Sequence, residues 1–177
     1  PVLAKDVLHG NEHVASALLI TFSVGIGIGS LMCEKLSRGH VEIGLVPIGA
    51  LGMTVFLIDL WQALLAVPAH AATYTLAEFI AVPGHWHVLI DLGLLALSAG
   101  IYSVPMYALI QWRSPATHRA RIIATNNILG AVFMIASSLI VGMLLSAGLN
   151  LPSIMLVIGI ANLIVTAYIF WLVPEYW

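Results

Sequence analysis

Charge is what this sequence has least of. Its 177 residues include 6 Lys and Arg and 8 Asp and Glu, 8% of the chain, with a net charge of −2. An average soluble domain carries about 25% charged residues, so a soluble fold built from this chain would have no hydrated surface. With 61% apolar residues and a mean hydropathy of +1.06, the solvent implied is lipid. In lipid, only helices or a closed barrel satisfy the backbone. The single cysteine, Cys33, excludes an intramolecular disulfide and a cysteine-based zinc site. Near-neutral charge excludes the basic footprint of a nucleic-acid binder. An initiator Met and a signal-peptide pattern are both lacking at Pro1. The expectation is a piece of a longer protein, with processing or trimming as the alternative.

What the chain has instead is long apolar runs. Uncharged stretches of about 18 or more residues signal spanning helices. The runs predict five of them, at about 14–33, 43–67, 91–112, 122–148 and 151–173, with only Asp59 interrupting the second. The last two are parted by the turn signal Asn150-Leu151-Pro152. Barrel strands are excluded by run length and by the want of alternation. The fold class expected is an all-α integral membrane protein, one transmembrane domain over residues 1–177.

Five of the six basic residues fall in two loops. Lys35 and Arg38, with Glu34, lie between helices one and two, and Arg113, Arg119 and Arg121 lie between three and four. Basic loops stay in the cytoplasm, which puts these loops and the C-terminus inside, and the N-terminal segment, the 68–87 loop and the 149–151 turn outside. An outer N-terminus before five helices is natural if one more helix precedes Pro1, making a six-helix repeat of a larger bundle. The outer stretch Pro68 to Gly84 reads either as an interfacial helix ending at Pro83-Gly84, with Trp86 at the headgroup level, or as an apolar loop packed on the bundle.

Several residues carry candidate chemistry. Gly25-Ile-Gly27-Ile-Gly29 has Ser30 at the third position of a dinucleotide fingerprint and no room for a strand–helix unit, so that reading is rejected, and no cofactor is assigned. Gly25 and Gly29 form one small-xxx-small pair, and Ser23 and Gly27 a second, for sliding or for static close packing. Asp59 follows sixteen uncharged residues in the second span. An ionisable group there costs about 2.5–3.5 kcal/mol on insertion scales, which suggests coupling or substrate contact. The alternative is an interfacial position beside Trp61 and Gln62. Asp91 opens helix three, either as a functional carboxylate or as a first-turn acid favoured by the helix dipole.

His85-Trp86-His87 with Asp91 is a weak ligand set. It reads as an interfacial tryptophan with polar neighbours, and no metal is assigned. No nucleophile elbow accompanies the histidines, which sit in loops. In helix three Pro105 predicts a kink, and Tyr102 and Tyr107 line a polar path or stand at the inner interface. Asn126 and Asn127, beside Thr125, bond a headgroup or a neighbouring helix end.

The order of basic inner loops and glycine-rich helices resembles the C-terminal half of a major facilitator superfamily transporter. The stretch from Gly29 to Lys35, followed by Arg38-Gly39, is similar to the loop motif of that superfamily, with the acidic residue one place late. The stretches AKDVLHGNEHVAS, FSVGIGIGSLMCEKLS, VEIGLVPIGALG, VPMYALIQ and RARIIATNNILGA resemble the bacterial lysophospholipid transporter module. In some bacteria that module is fused to acyltransferase and acyl–acyl-carrier-protein synthetase domains. The resemblance runs from Ala4 to about Trp171. It departs at PVLAKD, where the family has PLYAKD, and at ATNNILGA, where it has AANNILNA.

The resemblance implies helices eight to twelve of twelve. It implies a missing N-terminal half as partner and alternating access. It also implies a lysophospholipid substrate, lysophosphatidylethanolamine foremost, flipped across the bacterial inner membrane. Asp59, Tyr102, Tyr107, Asn126 and Asn127 are then candidates for substrate contact or coupling, and Arg119 and Arg121 for an inner gate. The chain itself is expected not to be an enzyme. The rivals are an exporter of drugs or sugars, the membrane part of a phospholipid acyltransferase, and a purely structural subunit.

Overall fold

The computed structural model describes residues 3–37, 44–67 and 73–172. Among them the chain is helical: a single π-type turn at Leu3–Val7, then α1 (Glu12–Ser37), α2 (Leu45–Leu65), α3 (Leu76–Ala81), α4 (Pro83–Arg113), α5 (Arg119–Ser146) and α6 (Leu151–Leu172). All but α3 are long and apolar enough to cross a membrane, so the protein is a multi-pass membrane protein. The number of spans agrees with the apolar runs, but several ends do not. Helix one begins earlier and ends later than 14–33. Helix three starts at Pro83, eight residues before the expected 91. Helix four covers 119–146 rather than 122–148. Ile43 and Val173, the expected limits of two spans, and the inner-loop residue Arg38 lie outside the described residues.

The shifted ends have local causes. Asn11 caps α1, its Oδ1 accepting from the His13 and Val14 amides at 3.0 and 3.1 Å, so the helix reaches past its apolar run. α3 is nucleated by a capping box in which the Thr75 hydroxyl accepts from the Glu78 amide and the Glu78 carboxylate accepts from the Thr75 amide. It ends at Ala81. Pro83, expected to end a helix, instead occupies the first turn of α4, where its missing N–H costs nothing. The His85-Trp86-His87 stretch is therefore helical and not a loop.

α4 lies at the centre, with α1 and α2 packed on it and α6 packed on α2. Glycine lets the backbones meet. A Cβ on Gly25 would stand 2.5 Å from the Gly93 carbonyl oxygen, and one on Gly29 would collide with the Leu97 carbonyl. Across the same seam, Gly100 faces the Ile26 carbonyl. Gly27 takes no part in this seam: nothing lies within 4 Å of its Cβ position, and Ser23 is exposed beside it. Positions two apart on a helix point about 200° away from each other, so the Gly25–Gly29 pair faces α4 and Gly27 faces away from it.

The two ends of the bundle differ. The N-terminal turn, the end of α2 and the α5–α6 turn share one end, which is called outer here. Lys35, Arg113, Arg119 and Arg121 occupy the other. A contiguous core of Ala4, Leu8, Val14, Leu60, Phe79, Val88 and their neighbours fills the outer end. His9 and Asn11, on either side of Gly10, are tied to Tyr74: the Tyr74 N–H donates to the His9 carbonyl at 2.7 Å and the Asn11 N–H to the Tyr74 carbonyl at 3.0 Å. α5 stands apart, with none of its residues buried.

Candidate functional site

Two groupings of polar side chains lie within the spans. The first is at the outer end, between α2 and α4. Asp59 is about four turns along α2, and His87 and Asp91 stand one turn apart on a single face of α4. His87 Nε2 is 3.3 Å from Asp59 Oδ2 and 3.4 Å from Asp91 Oδ2. The exposures are unequal: the side chains of His87 and Asp59 are 52% and 43% exposed, that of Asp91 only 3%. Asp91 Oδ2 is buried without a hydrogen bond.

His85, grouped with His87 by the sequence, points elsewhere. It is fully buried, stacked on Phe79 at 4.1 Å between ring centroids and edge-on to Tyr74. Its Nδ1–H donates to the Phe79 carbonyl at 2.9 Å, so it fastens α3 onto α4. Trp86 does the same from outside, donating from Nε1 to the Ile80 carbonyl.

The second grouping is nearer the inner end. Tyr102, Ser103, Met106, Tyr107, Ile110 and Asn126 line a cavity of about 200 Å³ between α4 and α5. Tyr102 and Met106 also border a second cavity of about 70 Å³, closed on its far side by Asn162, Thr166 and Phe170 of α6. The two spaces therefore flank one segment of α4. Among the described residues, neither is lined by a charged side chain. Tyr102 is eleven residues before Arg113 and eleven after Asp91, or about 16 Å from each at 1.5 Å per residue. That is about half the hydrocarbon thickness from the inner end.

Of the residues the sequence singled out, Tyr102, Tyr107 and Asn126 come together at this cavity. Asn127 does not line it and is exposed. Asp59 belongs to the outer grouping. Arg119 and Arg121 occupy the first turn of α5. Positive charge there opposes the helix dipole.

Sequence reasoning missed Thr54 and Asn162. The Asn162 Nδ2 donates to the Ala50 carbonyl at 2.9 Å and to the Thr54 hydroxyl at 2.8 Å, joining α6 to α2. The signal was a lone amide in the fifth apolar run. Compared with protein-family models, curated proteins and solved structures, the chain matches none of them.

Proposed function

We propose that the chain is half of a membrane transporter of the major facilitator type, its spans being helices eight to twelve of twelve, and that it moves a lysophospholipid across the bacterial inner membrane by alternating access. The observation that carries the reading is the uncharged cavity lined by Tyr102, Tyr107 and Asn126 at membrane depth. Hydroxyl and amide groups beside Met106 and Ile110 suit an amphiphile, whose polar part is hydrogen-bonded while its tail stays in an apolar groove. At about 200 Å³ the space is smaller than the 300–1,000 Å³ of a typical small-molecule pocket, in keeping with a site completed by a second half.

α5 supports the same partner. It buries no residue and carries Asn126 and Asn127 within its first turns. Unpaired amides in hydrocarbon are costly, so a helix of the other half is the cover this reading assigns to it. The motif resemblance supplies the substrate class. Arg119 and Arg121 meet anionic headgroups of the inner leaflet, which explains cations at a helix start. Asp59, grouped with His87 and Asp91 at the outer end, is given no part in substrate contact.

The test is uptake of labelled lysophosphatidylethanolamine into spheroplasts carrying the full-length protein. Loss of one hydrogen bond of about 1–1.5 kcal/mol in Tyr102→Phe or Asn126→Ala reduces uptake roughly five- to tenfold, and Asn127→Ala leaves it unchanged. Uptake equal to vector, or equal loss in all three variants, contradicts the assignment.

A further inference from the structure

We infer that Asp59, His87 and Asp91 form a binding site for a divalent transition-metal ion of the Zn²⁺ class at the outer end of the bundle. One ligand atom from each of Asp59, His87 and Asp91 lies within 4.8 Å of the other two. The two separations from His87 are 3.3 and 3.4 Å. These are longer than the roughly 2.7–2.9 Å of a charge-assisted hydrogen bond. The Asp59 separation is also that of a long hydrogen bond, and both separations are of the size that bonds of about 2.0–2.1 Å at tetrahedral angles set between neighbouring ligands, about 3.3–3.4 Å.

Burial and charge add a second observation: Asp91 is 2% exposed, its Oδ2 makes no hydrogen bond, and the nearest cationic group, His87 Nε2 at 3.4 Å, is shared with Asp59. Two carboxylates around one imidazole, one of them buried, leave negative charge poorly compensated away from water, which is expensive, and a bound cation removes that cost. Imidazole with two carboxylates favours zinc-like ions over Mg²⁺ and Ca²⁺, which take oxygen ligands in larger number. The exposed flanks of His87 and Asp59 leave a path for the ion and room for water as a fourth ligand. Because Asp59 comes from α2 and the other two ligands from α4, the ion clamps the outer ends of these helices together. The inference does not depend on the transport reading.

The experiment is calorimetric titration of the purified, chelator-treated full chain in detergent with ZnCl₂, and separately with MgCl₂ and CaCl₂. The expected result is one Zn²⁺ per chain, no comparable binding of Mg²⁺ or Ca²⁺, and affinity lowered at least about tenfold by His87→Gln and by Asp59→Asn. The exposed His118 at the inner end serves as control, and His118→Gln leaves binding intact. Asp91→Asn can weaken packing, so the exposed His87 carries the decision, with a Zn²⁺-dependent rise in Tm as a second readout that His87→Gln abolishes. Failure to bind Zn²⁺, or binding and a Tm rise that persist in His87→Gln, overturns the site.

Discussion

At the scale of single residues, glycine decides how closely α1 and α4 approach. The Leu97 carbonyl occupies the place where a Gly29 side chain would begin, while Gly27 opens on free space. Gly29→Ala therefore overpacks the seam and lowers stability by about 1–3 kcal/mol. Gly27→Ala is neutral or stabilising, since alanine is the better helix former by up to about 1 kcal/mol. Thermal unfolding of the two variants in detergent separates them, and equal Tm values would contradict the seam.

The glycine pair was legible in the sequence because its spacing of four is a helix property. The Asp59–His87–Asp91 grouping was not. Asp59 and His87 are 28 residues apart, and nothing in hydropathy says that α2 lies against α4. The start of α4 was also set too late, which hid that His87 and Asp91 are one helical turn apart. His85 was grouped with His87 by adjacency alone, whereas positions two apart on a helix face opposite ways.

At the scale of elements, the spans were legible because uninterrupted apolar length is their physical requirement. Their ends were not, because the added turns are polar: Glu12 and His13 in α1, His85 and His87 in α4, Arg119 and Arg121 in α5. Such turns are fixed by caps and by tertiary contacts rather than by hydropathy. Pairing between helices was equally out of reach of the sequence. α6 holds to α2 through Asn162, one amide bonding a carbonyl and the buried Thr54 hydroxyl. Interhelical hydrogen bonds in membranes contribute about 0.6–2 kcal/mol. Asn162→Leu is expected to lower stability by that amount, read from detergent or denaturant unfolding. Combined with Thr54→Val, it should cost less than the sum of the single changes. Strict additivity would mean the two side chains are not coupled.

At the scale of the whole molecule, both halves of the bundle carry cavities, and one of about 590 Å³ lies at the outer end among the N-terminal turn, the end of α2 and the α5–α6 turn. The outer end holds the contiguous core, the capped α3 and the buried His85. The inner half holds the two uncharged cavities that flank α4 around Tyr102 and Met106. On the proposed reading, the exposed α5 is the surface that a second half would meet. The central claim is that the assembled protein moves a lysophospholipid through the bilayer. It is tested most directly by reconstituting the full-length protein in proteoliposomes and following labelled lysophosphatidylethanolamine from one leaflet to the other. The account predicts movement well above that of protein-free vesicles, reduced roughly five- to tenfold by Asn126→Ala. Movement no faster than in protein-free vesicles would contradict it.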